Sequence, residues 1–100
     1  MTPIPVGPIV GESLPLTLGQ VVITSNALSK LRIEDALFAL SRHMRGDWGD
    51  LDAEDHEAND RALSEGRILF SVYHSPNKVK FYIVTEGNPT VSTIMLPEDY

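Results

Sequence analysis

Between positions 33 and 45, Ile33, Leu37, Leu40 and Met44 recur at spacings of four, three and four, with Ala36 beside them. That is the helical period, and it predicts an amphipathic helix over 33–45 with this stripe inward. Glu34 and Asp35 in its first turn, and Arg42 and Arg45 in its last, suit the helix dipole, and Gly46 supplies a stop. Upstream, Val21-Val22-Ile23-Thr24 is β-branched throughout and predicts a short strand. Ser25 then reads as the N-cap of a short helix over 26–31.

Downstream of Gly46, Asp47-Trp48-Gly49-Asp50-Leu51 is a tight connection. Asp52 is an N-cap for a further helix running to about 65, with Asp55 three residues on and Gly66 as the stop. The apolar side of that helix is thin, made mainly by Ala58, Ala62 and Leu63. Asn59 lies one turn before Leu63 and projects to the same side. An inward Asn needs hydrogen-bond partners, which the 46–50 loop or His43 can offer.

The last third alternates at period two. Ile68, Phe70 and Val72 interleave with Leu69, Ser71 and Tyr73; Val79, Phe81 and Ile83 interleave with Lys80, Tyr82 and Val84. Ser75-Pro76-Asn77 and Gly87-Asn88-Pro89 are turns, and 90–96 is a third strand. Three strands with short turns predict an antiparallel meander. Its expected core face is Ile68, Phe70, Val72, Phe81 and Ile83, which leaves Ser71 and Tyr73 facing away. Residues 1–19 hold Pro3, Pro5, Pro8 and Pro15 with Gly7, Gly11 and Gly19, and predict an extended, irregular arm. Its apolar members, Ile4, Val6, Ile9, Val10, Leu14 and Leu16, suggest that parts of it lie on the body or on a partner chain. The whole reads as one α+β domain over 20–100 preceded by this arm: an antiparallel sheet of three or four strands with two or three helices packed on one face.

Composition narrows the classes. Apolar residues make 42% of the 100-residue chain, enough for one core. No apolar run approaches the roughly 20 residues of a bilayer span, and the N-terminus lacks a basic region followed by an apolar stretch. With no Cys there is neither a disulfide nor a thiolate zinc site. A cytoplasmic protein is the expectation. The net charge of −6 is unevenly placed: residues 47–65 carry eight carboxylates against Arg61 alone, a local charge of −7. Direct nucleic-acid binding needs a basic footprint, which is not evident, and no membrane contact is expected. A basic protein partner suits this segment; the simpler reading is a solvated helix face that maintains solubility.

A spaced pattern runs through the chain: Arg42-His43, Gly46-Asp47-Trp48-Gly49-Asp50, Asn59, Ala62-Leu63, Gly66, Ser71, Tyr73, Thr85-Glu86 and the closing Leu96-Pro97-Glu98-Asp99-Tyr100. In this the chain resembles small proteins encoded on bacterial plasmids, phages and other mobile elements, some labelled plasmid-related proteins or restriction subunits. The resemblance covers about 20–100 and leaves out the arm. It implies a mobile-element origin and no established activity. The pattern departs at Gly87-Asn88-Pro89-Thr90, where the resemblance leads to Ala-Asp-Arg-Ser, so a charged pair carried by that turn is missing here.

The candidate chemistry gathers at the bend. His43, Asp47, Asp50 and Asn59 converge if the two longer helices pack as a hairpin, and a His beside a carboxylate can act as a general base or help to hold a metal. The simpler reading is a polar clamp: His43 caps its own helix end, Asp47 and Asp50 bind loop amides or cap the next helix, and Trp48 fills the gap between helices. Trp48 exposed as a partner anchor is the alternative. Asp50-x-Asp52-x-Glu54 hints at a calcium loop, but its sixth position is Asp55 and its twelfth Arg61, which excludes an EF-hand. His56 and His74 read as isolated surface residues. Neither a metalloprotease His pair, a phosphate-binding loop nor a nucleophile elbow occurs. The expectation is a non-enzymatic accessory protein, without a cofactor, that binds a macromolecular partner. Its candidate binding residues are His43, Asp47, Trp48, Asp50, Asp52, Glu54, Asp55 and Asn59. The alternatives are a metal-dependent hydrolase using His43, Asp47 and Asp50, and a self-associating structural protein whose arm crosses a second copy as a homodimer.

Overall fold

Why these residues fold as they do is clearest in the sheet. The computed structural model describes residues 4–8, 18–87 and 90–100. In chain order they form β1 (Ile4–Pro8), β2 (Gln20–Ile23), α1 (Ser25–Lys30), α2 (Ile33–Met44), α3 (Ala53–Glu65), β3 (Leu69–His74), β4 (Lys80–Glu86), β5 (Val91–Met95) and a single 3-10 turn, Pro97–Asp99. The sheet has five strands in the order β1-β2-β5-β4-β3. The predicted meander is present, with β3, β4 and β5 antiparallel in sequence. The purely antiparallel sheet of three or four strands is corrected on two counts. First, β2 runs parallel to β5. Alternation is the same in parallel and antiparallel strands, so β2's direction was not in its residues. Second, part of the proline-rich arm is a strand: Ile4–Pro8 pairs antiparallel with β2, with an irregularity between Pro5 and Gly7. Proline suits a sheet edge, where a missing donor does no harm. This strand pairs within its own chain, and Val6 packs on the core. Ile9, Val10, Leu14 and Leu16 lie outside the described residues.

The expected core face of β3 is inverted. Leu69, Ser71 and Tyr73 are buried, while Ile68 is exposed and Phe70 half-buried; of the expected β3 residues Val72 alone is buried, at the Gly49 bridge on the other face. Register demands this: Ser71 lies opposite Ile83 and Tyr73 opposite Phe81, and cross-strand partners share a face. Since Phe81 and Ile83 point to the core, their partners must too. The bulk of Ile68, Phe70 and Val72 had suggested the other face, but Ser71 and Tyr73 turn inward because their hydroxyls have partners there.

Helix α2 is rotated in the same way. Ala36, Ala39, Leu40, His43 and Met44 are buried, whereas Ile33 and Leu37 are exposed at 45% and 40%. The buried side of α2 thus centres on Ala36, Ala39, Leu40 and His43. The core joins Leu40, Trp48, Phe81, Ile83 and Ile94 with Leu18 from the segment before β2. Each fully buried aliphatic or phenyl side chain contributes roughly 1.5–3 kcal/mol relative to exposure.

The caps follow the residues. Thr24, one position before the expected Ser25, caps α1 by accepting from the Ala27 N–H (3.1 Å). Asp52 caps α3 as predicted, accepting from the Asp55 N–H (2.8 Å). Thr24 also donates to Asp99 (2.6 Å), which accepts from the Asn26 side chain (2.8 Å) and the Leu96 N–H (3.1 Å). Desolvation works to raise the Asp99 carboxyl, but these donors outweigh it and hold it below the ordinary carboxylate range. The closing Leu-Pro-Glu-Asp-Tyr is thus the latch that holds the start of α1. Among the described residues no helix is long and apolar enough to cross a membrane.

Candidate functional site

His43 lies in the last turn of α2, fully buried, and is not a cap of its own helix. Its Nδ1 lies 2.5 Å from Ser71 Oγ and its Nε2 2.9 Å from Thr85 Oγ1. Thr85 is 2.7 Å from Ser92 Oγ, and Ser92 donates to the Leu18 carbonyl at 2.7 Å. Counting protons sets the direction. The Ser92 proton is spent on Leu18, so Thr85 donates to Ser92. Thr85 must then accept, which puts the imidazole proton on Nε2. A neutral ring leaves Nδ1 bare, and Ser71 donates to it. Burial keeps the ring neutral, pushing its pKa down from 6.5 to about 4. One chain of hydroxyls and an imidazole therefore joins α2 to β3, β4, β5 and the segment before β2.

The adjacent bend is built against the outer edge of β3. Trp48 is fully buried, sits edge-on to His43 with ring centroids 5.4 Å apart, and donates from Nε1 to Asp60 on α3 (2.9 Å). It fills the joint between the helices and is not an exposed anchor. Its carbonyl accepts from the Val72 N–H (3.2 Å), and the Asp50 N–H donates to the Val72 carbonyl (2.7 Å). Gly49 thereby pairs with Val72 as a short parallel bridge. One step along the edge, the Asn59 amide donates to the Phe70 carbonyl (2.5 Å) and accepts from the Phe70 N–H (3.3 Å). Asn59 does face inward, but its partner is strand backbone and neither His43 nor the 46–50 loop. Loop and amide together occupy strand-edge groups that would otherwise offer themselves to another chain.

Asp47 is held by Arg42, whose Nε and Nη2 approach its two oxygens at 2.7 and 3.2 Å, and it accepts from the Gly49 N–H at 3.1 Å. The Arg42 hydrogen bond holds the Asp47 carboxyl below its ordinary value. Asp47 in turn raises the guanidinium's pKa. Arg42 also lies 4.9 Å over the Tyr73 ring, and the Tyr73 hydroxyl donates to the Asp47 carbonyl (2.6 Å). Burial pushes that phenol well above its usual range. Asp50 pairs with His74 Nδ1 at 2.7 Å, and His56 Nε2 reaches the Gly49 carbonyl at 3.3 Å, so neither histidine is isolated.

His43, Asp47 and Asp50 thus turn to three separate sets of partners. A hydrolase requires a base and its orienting carboxylate in mutual contact beside an open space. This geometry gives the hydrolase alternative no such arrangement, with His43 fully buried and its nitrogens on Ser71 and Thr85. Among the described residues no group of three or more His, Asp or Glu side chains is placed to hold a metal ion. The expected site residues divide: His43, Asp47, Trp48, Asp50 and Asn59 knit the joint, and Asp52 caps α3. Glu54 and Asp55, with Glu57, are exposed on α3 and have no ion-pair partner among the described residues. Sequence reasoning missed Thr85 and Ser92 as His43's supports, because hydroxyls in strands give no periodic signal. It had Ser71, Tyr73 and Thr85 in the spaced pattern, but placed Ser71 and Tyr73 on the wrong face and gave Thr85 no role. No protein-family model, curated protein or solved structure matches the chain.

Proposed function

We propose that this is a non-enzymatic accessory protein of a bacterial mobile element that binds a basic protein partner through the acidic face of α3. The observation that carries the reading is the division of the carboxylates. In 47–65, Asp47, Asp50, Asp52 and Asp60 bond to Arg42, His74, the Asp55 N–H and Trp48 respectively. Glu54, Asp55 and Glu57 are equally exposed but have no ion-pair partner among the described residues, on a helix whose buried residues are Asn59 and Ala62. A row of exposed like charge steers oppositely charged partners and speeds encounter. The −7 segment beside a chain near neutrality elsewhere gives the molecule one pole for that encounter.

The test is capture from a bacterial lysate with the full chain as bait, compared with a Glu54→Gln, Asp55→Asn, Glu57→Gln variant. Asp52 is left intact because it caps the helix. The expected outcome is salt-sensitive capture by the parent and loss by the variant. Undiminished capture by the variant contradicts the assignment of this face.

A further inference from the structure

A second surface lies on α2, facing the turn after β3. Phe38 is 68% exposed, the most open of the large apolar side chains described on the helices. It borders a groove of about 260 Å³ that is also lined by Asp35, Ala39 and Arg42 on α2 and by Tyr73 and Pro76. That volume falls below the roughly 300–1,000 Å³ usual for small-molecule sites. It is a socket for one aromatic side chain, next to a chain position that offers one.

The strip of α2 along the groove reads Asp35, Phe38, Ala39, Arg42, at the spacing that lines one side of a helix. Turned about a two-fold axis between positions 38 and 39, it is complementary to itself. Asp35 of one copy meets Arg42 of the other, and the large Phe38 meets the small, buried Ala39. One row further out, Glu34, which already pairs with Arg32, and Arg45 repeat the polarity. Antiparallel helices also align opposite dipole ends. Asp35 has no ion-pair partner among the described residues, and Arg42 commits Nε and Nη2 to Asp47. We infer that the chain forms a two-fold dimer through α2, each Phe38 entering the groove of the other copy between Asp35–Arg42 pairs. Such an interface is isologous and closed. It uses neither the N-terminal arm nor the acidic face of α3.

The test is the solution mass of the full chain by light scattering and sedimentation over a range of concentrations. The expected parent is a dimer. Phe38→Ala, exposed in the single chain, is expected to give a monomer with unchanged circular dichroism. Asp35→Arg alone and Arg42→Glu alone are each expected to be monomeric and folded by circular dichroism, since like charges then face each other across the interface, although Arg42→Glu also gives up the Asp47 pair of its own chain. Their mixture is expected to restore a heterodimer, because both pairs again have opposite charge. That rescue separates interface repulsion from misfolding. A monomeric parent at every concentration overturns the proposal. So does a dimer that survives Phe38→Ala, or a mixture of the two charge variants that stays monomeric although each is folded.

Discussion

At Gly49 the backbone takes φ +76°, and an added Cβ would lie 2.0 Å from the Val72 carbonyl oxygen. Both the left-handed conformation and the close approach exclude a side chain. Gly49→Ala is therefore expected to cost at least about 2 kcal/mol, through strain and loss of the Asp50 and Trp48 bonds to Val72. A denaturant midpoint within a few tenths of a molar of the parent would contradict this. The same approach explains why Asp47, Trp48 and Asp50 were attractive as site residues. A loop seated on a strand edge needs side chains that satisfy polar groups, and a base with its carboxylates needs the same types. Residue type alone does not separate the two uses; the partners do, and here they are Arg42, Asp60, His74 and backbone.

At the scale of elements, Asn59 ties α3 to β3 through both polar groups of Phe70. Asn59→Ala is expected to destabilise the chain by about 1–3 kcal/mol, since the strand loses a bonded edge, and to make it more prone to aggregate. Urea unfolding and light scattering after heating check both; a variant as stable and as soluble as the parent would show that the edge has other protection. Elements whose signals are local were legible: the cap at Asp52, the period of α2, and the turn at Ser75-Pro76-Asn77; Asn88 and Pro89 of the second expected turn lie outside the described residues. The faces of α2 and β3 were legible only in part, since Ala36, Leu40, Met44 and Val72 are buried as expected but each element carries apolar residues on both sides. What selects the face is His43, whose two nitrogens need Ser71 and Thr85, and that requirement is visible only when three elements meet. The parallel placement of β2 was likewise unreadable, since it depends on where the chain returns after three helices and a meander.

For the whole molecule, the buried chain from Ser71 through His43, Thr85 and Ser92 to Leu18 couples four strands or helices and the segment before β2. It also makes stability depend on pH. The imidazole binds its proton near pH 6.5 when unfolded and near pH 4 when folded. Between those values the unfolded state holds more protons, so stability falls as pH falls from about 6.5 to about 4, by about 3 kcal/mol in all. The loss is complete near the folded value. Asp47 and Asp99, whose carboxyls are held below their ordinary range, add their losses at and below that range. Urea unfolding at pH 7, 6, 5 and 4 measures the slope, and a flat profile from 7 to 4.5 would contradict it.

The acidic face and the α2 groove can serve partners only if the joint behind them is a fixed scaffold, and the His43 ring reports that most directly. Nitrogen-15 NMR of the two ring nitrogens across pH is predicted to find a neutral imidazole with its proton on Nε2 and a bare Nδ1, untitrated until pH approaches 4. A proton on Nδ1, or a midpoint near the ordinary 6.5, would mean that the ring is open to water and that the hydroxyl chain does not hold the fold together.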